Sequence, residues 1–284
     1  MPFLALVAVL LAACMHASWN LAAKHAAGCR HFVWIYSVGA VFIWLPPTLW
    51  IIATTHPVFD TAQRFALIGT AILHLGYSLS LQSGYRAADL SIVYPVARGT
   101  GPVLSFIGAA IFLHETPGVT SVAGLILVIT GIVLVTGLLH QGKKISARGL
   151  SWGIVTGTFI AAYTLNDGWA VKTLLIHPLI IDSVGNLFRA IVLSPSALSN
   201  RTQLWSEIKQ YYRPALMVST FGTVGYVLVL FAMKVAPVSH VAPAREVAML
   251  IGTYFGARVL KEAVTVERVI GAMCIVGGVV ALAF

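Results

Sequence analysis

The sequence predicts an all-α integral membrane protein of ten transmembrane helices, arranged as two inverted five-helix repeats. Three observations carry this expectation. The 284 residues are 58% hydrophobic and only 10% charged, with a mean hydropathy of +0.90, whereas a soluble domain carries about 25% charged residues. Apolar runs of the length that crosses a bilayer, about 20 residues, recur along the whole chain with short polar links between them. The third observation is a duplicated irregularity. Residues 88–115 are apolar yet hold Pro95, Arg98, Gly99, Gly101 and Pro102 and end at Glu115; residues 236–262 set Pro243 opposite Pro95, Arg245 opposite Arg98 and Glu262 opposite Glu115. Proline removes a backbone donor and glycine loosens the ladder, so both stretches are expected to be broken helices. Interrupted segments at matching places in two halves point to a transported ligand's site.

Taken in order, span one is expected at 3–23, without the basic leader and small-residue cleavage site of a signal peptide. Span two, 32–53, carries Pro46 and Pro47 near its far end and Trp34, Trp44 and Trp50 at belt-like positions. Span three is 65–85, closed by Arg86; span four is the first interrupted stretch, and span five is 119–139. The polar residues 140–148 form a linker, so residues 1–139 make the first repeat and 149–284 the second. Spans six and seven fall at 150–171 and 178–198. A polar loop at 199–213 then sets Trp205, Tyr211 and Tyr212 at the headgroups, and spans eight to ten occupy 214–233, 238–260 and 266–284. The repeat is visible in letters too. Ser37-Val38-Gly39 returns as Ser183-Val184-Gly185, Gly124 and Gly131 return as Gly271 and Gly278, and Asn20 falls opposite Asp167. An odd number of spans per half turns the second half upside down relative to the first.

The five-plus-five pattern, the Trp19-Asn20 pair with Lys24, and the Leu113-His114-Glu115 end of span four with its counterpart Leu260-Lys261-Glu262 resemble the EamA-type transporters of the drug/metabolite transporter superfamily, over essentially the whole chain. The resemblance implies movement of amino acids, sugars, nucleotide-linked compounds or other polar metabolites, often outward. The chain departs from the general pattern in its density of charge within spans four, seven and nine. The resemblance also implies termini inside the cell. The chain's own charge points the other way: twelve lysines and arginines lie in loops after odd-numbered spans and three (Arg64, Lys172, Lys234) after even-numbered ones. By the positive-inside rule the odd loops are then cytoplasmic.

Within the spans, Arg98, Arg189, Arg245 and Glu246 are candidates for a midplane pocket that holds an anionic or zwitterionic metabolite. A guanidinium fork matches a carboxylate or phosphate, and ionisable groups within membranes are functional by default. The competing reading is mutual pairing, with Glu246 neutralising Arg245 or Arg189. Tyr94, Trp19, Asn20, His16, His74 and Tyr77 are candidate lining residues, each also able to serve as an interhelical contact. Asp167, in mid-span six, is the candidate carrier of a coupling proton, against the alternative of a hydrogen bond to Asn166 or Tyr163. Asp182 is expected at a solvated helix end. Gly153-x-x-x-Gly157 and Gly252-x-x-x-Gly256 read as close-packing faces.

Several classes are excluded. The net charge of +9 gathers into no basic cluster with interleaved aromatics, so no nucleic acid is expected. Cys14, Cys29 and Cys274 show neither a disulfide framework nor metal spacing, and the nine histidines lack ligand partners, so neither metal nor cofactor is expected. No nucleophile elbow, phosphate loop or zinc-protease motif occurs. The expected function is a secondary transporter, an exporter or permease of the inner cell membrane, for a small polar metabolite such as an amino acid or other carboxylate-bearing compound. Its partners are that substrate and the bilayer, and a monomer satisfies the pattern. A membrane-embedded enzyme acting on a lipid-linked substrate and a passive channel are the alternatives.

Overall fold

In hydrocarbon every backbone N–H and C=O has to be satisfied within the protein, and a helix does this inside a single segment. The computed structural model describes residues 1–26, 28–87, 90–136, 147–248 and 266–283, and ten helical runs occupy them. These are α1 (Phe3–His25), α2 (Phe32–Thr55), α3 (Thr61–Ala87), α4 (Leu90–Phe112), α5 (Val119–Thr136), α6 (Ala147–Lys172) and α7 (Pro178–Leu198). Then α8 (Arg201–Met217) continues through a π turn (Val218–Gly222) into α9 (Thr223–Val235), followed by α10 (Val238–Ala244) and α11 (Val266–Ala283). Residues 32–55, 61–84, 178–198 and 201–235 are each long and apolar enough to cross a bilayer, and the other long helices add shorter apolar runs. Large apolar side chains such as Phe3, Phe42 and Phe112 point outward, while the interior mixes many alanines and small polar groups with aliphatic side chains such as Ile132, Leu230 and Leu282. Lipid tails are as apolar as leucine, so close backbone approach, rather than burial of bulky side chains, holds such helices together.

The two halves meet in matched pairs. Helix α2 packs on α7, α4 on α10 and α5 on α11, each against its own counterpart, while α3 packs on α6 as α1 packs on α9. A two-fold relation between the repeats requires this exchange. The loops follow the same alternation. The ends of α2, α4 and α6 share one face, where Gln63 donates to the Leu174 carbonyl at 2.9 Å and Lys172 reaches Glu115 at 3.1 Å. The link from α1 to α2 meets the start of α8 on the other.

Two expectations from the sequence change. Helix α4 is continuous: its backbone runs through both Pro95 and Pro102, each of which removes one ladder bond, while Val96 and Thr100 pack it closely on Gly153 and Gly157. The interruption appears in the second half alone, where α10 ends at Ala244 and Arg245 and Glu246 lie in a turn just past Pro243. The stretch 199–213 is helical rather than a loop. Asn200 caps it by accepting from the Gln203 amide at 3.1 Å, and an Asn followed three residues later by Gln is a helix-start signal. The linker up to residue 146 and the Gly252/Gly256 pair lie outside the described residues.

The glycines that repeat between halves mark the tightest crossing. A Cβ at Gly131 would come within 2.6 Å of the Gly271 carbonyl, and one at Gly278 within 2.6 Å of the Gly124 carbonyl. Only glycine lets α5 and α11 meet this closely. Gly153 and Gly157 do the same against Val96 and Thr100 of α4. Gly278→Ala is expected to cost about 1–3 kcal/mol, the usual cost of overpacking, seen as earlier melting in detergent. Its neighbour Gly277, with nothing within 4 Å of an added Cβ, is the control. Equal melting of Gly277→Ala and Gly278→Ala would mean that the crossing does not depend on close contact.

Candidate functional site

The polar interior has two connected parts. In the first, Arg98 of α4 reaches across the repeats to Glu246, with Nη1 at 3.3 Å from Oε1 and both side chains buried. Its Nη2 meets Nε2 of His16, while the Trp19 indole donates to the His16 Nδ1 at 3.2 Å. Both neighbours are donors, and a neutral imidazole has one acceptor nitrogen, so His16 serves one of them at a time. Beside this group lies a cavity of about 40 Å³ lined from both halves: Ala12, Ala13 and His16 of α1 and Arg98 of α4 face Tyr163 of α6, Gly225, Tyr226 and Val229 of α9, and Arg245. Arg245 Nη1 is buried without a hydrogen-bond partner, as is Glu246 Oε2. An unmet charged donor in a cavity wall is a place for an acceptor to bind.

The second part is centred on Asp167, whose side chain is fully enclosed. Four side chains from three helices converge on it. Thr70 of α3 donates to Oδ1, Asn166 to the same oxygen at 2.9 Å, His74 of α3 to Oδ2 at 2.9 Å, and the Tyr226 hydroxyl of α9 to Oδ2 at 2.5 Å. His74 stacks on Tyr163 with centroids 4.3 Å apart, and Tyr77 meets Tyr163 edge-on at 5.5 Å. Tyr163 and Tyr226 also wall the cavity, so the two parts share a boundary.

Several candidates from the sequence therefore come together. Arg98 and Arg245 line the cavity, Glu246 and Trp19 are bonded to its wall residues Arg98 and His16, and His74, Tyr77 and Asp167 stand behind its tyrosine wall. Arg189 stands apart: its Nη2 donates to Asn186 at 2.7 Å and its guanidinium lies 6.0 Å from the Tyr36 ring. Asp182 is not a solvated end but accepts from Asn186 at 2.8 Å within the bundle. The side chains of Asn20 and Tyr94 are outside the described set. Tyr226, His16 in its link to Arg98, and Thr70 complete the site. Of these Tyr226 was the least visible, a lone hydroxyl in the apolar run Val224–Leu230. Among the described residues no three His, Cys, Asp or Glu side chains are grouped to hold a metal.

Two carboxylates hold the ends of the bundle. Just past α4 and α6 the chain closes a C-terminal cap through a left-handed residue, His114 (φ 54°) and Leu175 (φ 57°), with the following amide bonded six residues back. That cap aims Glu115 at the start of α10, where it accepts from the Val238 and Ser239 amides at 2.8 and 2.9 Å and the Ser239 hydroxyl at 2.7 Å. Burial raises its pKa, but those bonds and Lys172 outweigh burial and hold the carboxyl below its ordinary value. On the opposite face Glu207 of α8 accepts from the Arg30 and His31 amides and from the His31 ring at 2.8 Å. Burial and the adjacent Glu207 push the Cys29 thiol up to about 12, which keeps it inert.

Against known proteins, the model of the EamA-like transporter family matches residues 3–137 and again 147–284. Twenty-nine chains of solved structures match the fold. One, described only as the crystal structure of a protein, superposes with a TM-score of 0.73 at 14% identity, covering 98% of this chain and 95% of that one. No curated protein matches the sequence.

Because its folded pKa lies below the unfolded value of about 4.3, Glu115 contributes stability above that pH and loses it as the pH falls through the folded value. Glu115→Gln is expected to melt earlier at neutral pH, by about 1–3 kcal/mol for charge-assisted bonds lost. The gap to the wild type closes on acidification. A gap that stays constant to about pH 3 would show that the charge of Glu115 is not what holds α10.

Proposed function

Since the chain belongs to the EamA-like transporter family, matched over both of its halves, we propose that it is a secondary transporter which carries a small carboxylate-bearing metabolite by alternating access between its two repeats. The observation that supports this most directly is the unpartnered Nη1 of Arg245 in a cavity lined by both repeats. Leaving such a donor unmet costs about 1–3 kcal/mol, a cost that a bound anion removes. Tyr163 and Tyr226 supply apolar faces for the rest of the ligand. At about 40 Å³ the cavity is far smaller than the roughly 300 Å³ of a small-molecule site. Loading therefore requires the repeats to part around Arg245.

The roles of the two arginines divide on this reading. Arg98 neutralises Glu246, whereas Arg245 is the anchor for the ligand. The sequence has no nucleotide-binding loop, so an ion or substrate gradient drives the cycle, and Asp167, beside the cavity, is the coupling residue. The protein sits in the inner cell membrane with its odd-numbered loops in the cytoplasm, as the basic residues favour.

In proteoliposomes, saturable uptake is expected for at least one member of a panel of labelled small carboxylates. Arg245→Ala abolishes it with unchanged melting, and Arg245→Lys weakens it about tenfold or more, because lysine keeps the charge but not the fork. Arg98→Ala melts early instead, since it strands a buried carboxylate, a loss of about 3–5 kcal/mol. Wild-type uptake by Arg245→Ala would remove the anchor from the proposal. For orientation, cysteines at Arg201 and Thr116, exposed on opposite faces, are placed in a background lacking Cys14, Cys29 and Cys274. Labelling of intact cells by an impermeant maleimide is expected at Thr116→Cys only, and the reverse pattern inverts the topology.

A further inference from the structure

The buried charges of the interior balance in a way that depends on one proton. Arg98 faces Glu246. Arg189 and Asp182 flank the shared Asn186, which donates to the carboxylate and accepts from the guanidinium, so they offset each other. Among the described residues this leaves Arg245 as the remaining core cation and Asp167 as the remaining core anion, with His74 hydrogen-bonded to Asp167 at 2.9 Å. With His74 neutral these described charges sum to zero. Seating a monoanion on Arg245 leaves the interior one charge short of balance, deep in hydrocarbon, where an uncompensated charge costs several kcal/mol. One proton taken up by the His74–Asp167 pair, joined by a 2.9 Å bond, restores neutrality whichever of the two holds it.

Resting on the anion site at Arg245, we propose that the His74–Asp167 pair is a proton-binding site that fills together with a monoanion on Arg245, so that the protein cotransports one proton with each monocarboxylate. The pair is placed for this. His74 comes from α3, Asp167 and Tyr163 from α6, Tyr226 from α9 and Arg245 from the turn after α10, with Asp182 and Arg189 of α7 as the further charged groups near it. Tyr226 joins the two loads physically. Its hydroxyl carries one proton, which it donates to Asp167 Oδ2 at 2.5 Å while its ring walls the cavity beside Arg245. Once a proton neutralises the pair, Asp167 has less need of that donor, and the hydroxyl can turn to a carboxylate on Arg245. Empty and doubly loaded carriers are both neutral inside and able to close. A carrier holding only the proton or only the anion keeps a net buried charge, which disfavours closure and ties the two fluxes together. A zwitterion would need no proton, so this balance selects monoanions.

The test uses the purified full chain in detergent with acetate, lactate and benzoate as probes, titrated calorimetrically between about pH 5 and pH 8 in buffers of different ionisation enthalpy. The expected result is close to one proton taken up per anion bound. Affinity should tighten about tenfold for each pH unit of acidification on the alkaline side of the pair's titration. Asp167→Asn balances the monoanion without a proton, so the probe still binds while the proton count falls toward zero and the pH slope flattens; His74→Gln leaves Asp167 as the sole acceptor, so proton uptake persists over a different pH range. Binding by the wild type without proton uptake overturns the inference and leaves the anion site standing. Full proton uptake by a folded Asp167→Asn also overturns it, by placing the proton elsewhere. Failure of every probe to bind at any pH removes the Arg245 site and this inference with it. Should neither variant fold, the wild-type proton count decides alone.

Discussion

A charge carried into the middle of a bilayer must find its counterpart inside the protein, since neither lipid nor bulk water supplies one. That constraint decides which helices of this chain have to meet. Arg98 and Glu246 belong to different repeats, and their pairing draws α4 to the segment beyond α10. Asp167 collects donors from α3, its own α6 and α9, and so fixes three helices around a single carboxylate. Once these demands are met, the groups still unmatched stand out. Among the described residues, Arg245 Nη1 and Glu246 Oε2 are unmatched at the junction of the two repeats, as Arg189 Nε is within α7, and that junction is where the proposed ligand exchange would take place.

The same economy governs what holds the bundle closed. Without a hydrophobic drive between helices in lipid, cohesion comes from contact distance in the middle and from charge at the ends. Glycines let α5 cross α11 and α4 cross α6 with backbones nearly touching. At the two faces the arrangement is reciprocal. Glu115 of the first repeat accepts the leading amides of α10 in the second, and Glu207 of the second accepts the amides that precede α2 in the first. A carboxylate at a helix start is favoured by both the free amides and the helix dipole. Each repeat therefore clasps the other with one acid, at opposite ends of the bundle.

Much of this was legible in the letters, and the exceptions have physical causes. Composition fixes the solvent, hydropathy the spans, and the recurrence of Gly124 and Gly131 as Gly271 and Gly278 marks a contact that the structure places at the closest crossing. The central position of Asp167 was readable from its place in an apolar run. The partner of Glu246 was not. Arg245 is its neighbour in sequence, but the turn after Pro243 lets the carboxylate reach Arg98 instead, 148 residues away. Tyr226 was hidden because a single tyrosine in an apolar helix has no pattern, and its meaning comes only from Asp167 on another helix. Pro95 misled in the opposite direction. Proline forbids one bond, and whether a helix ends there depends on the packing around it, here Val96 and Thr100 against Gly153 and Gly157.

The difference between the two halves at this point bears on how the molecule works. The same residue types, a proline and then an arginine, stand at both places, yet α4 runs straight through Pro95 while the chain after Pro243 breaks into a turn at Arg245 and Glu246. Two copies of one plan thus hold two conformations. On the proposed alternating-access reading, exchanging the two conformations means transferring the break from one repeat to the other. In an inverted pair, such an exchange turns the structure over relative to the membrane. The Arg98–Glu246 bond spans the two places, so a change at either one has to break or carry along a buried ion pair whose separation leaves an uncompensated charge.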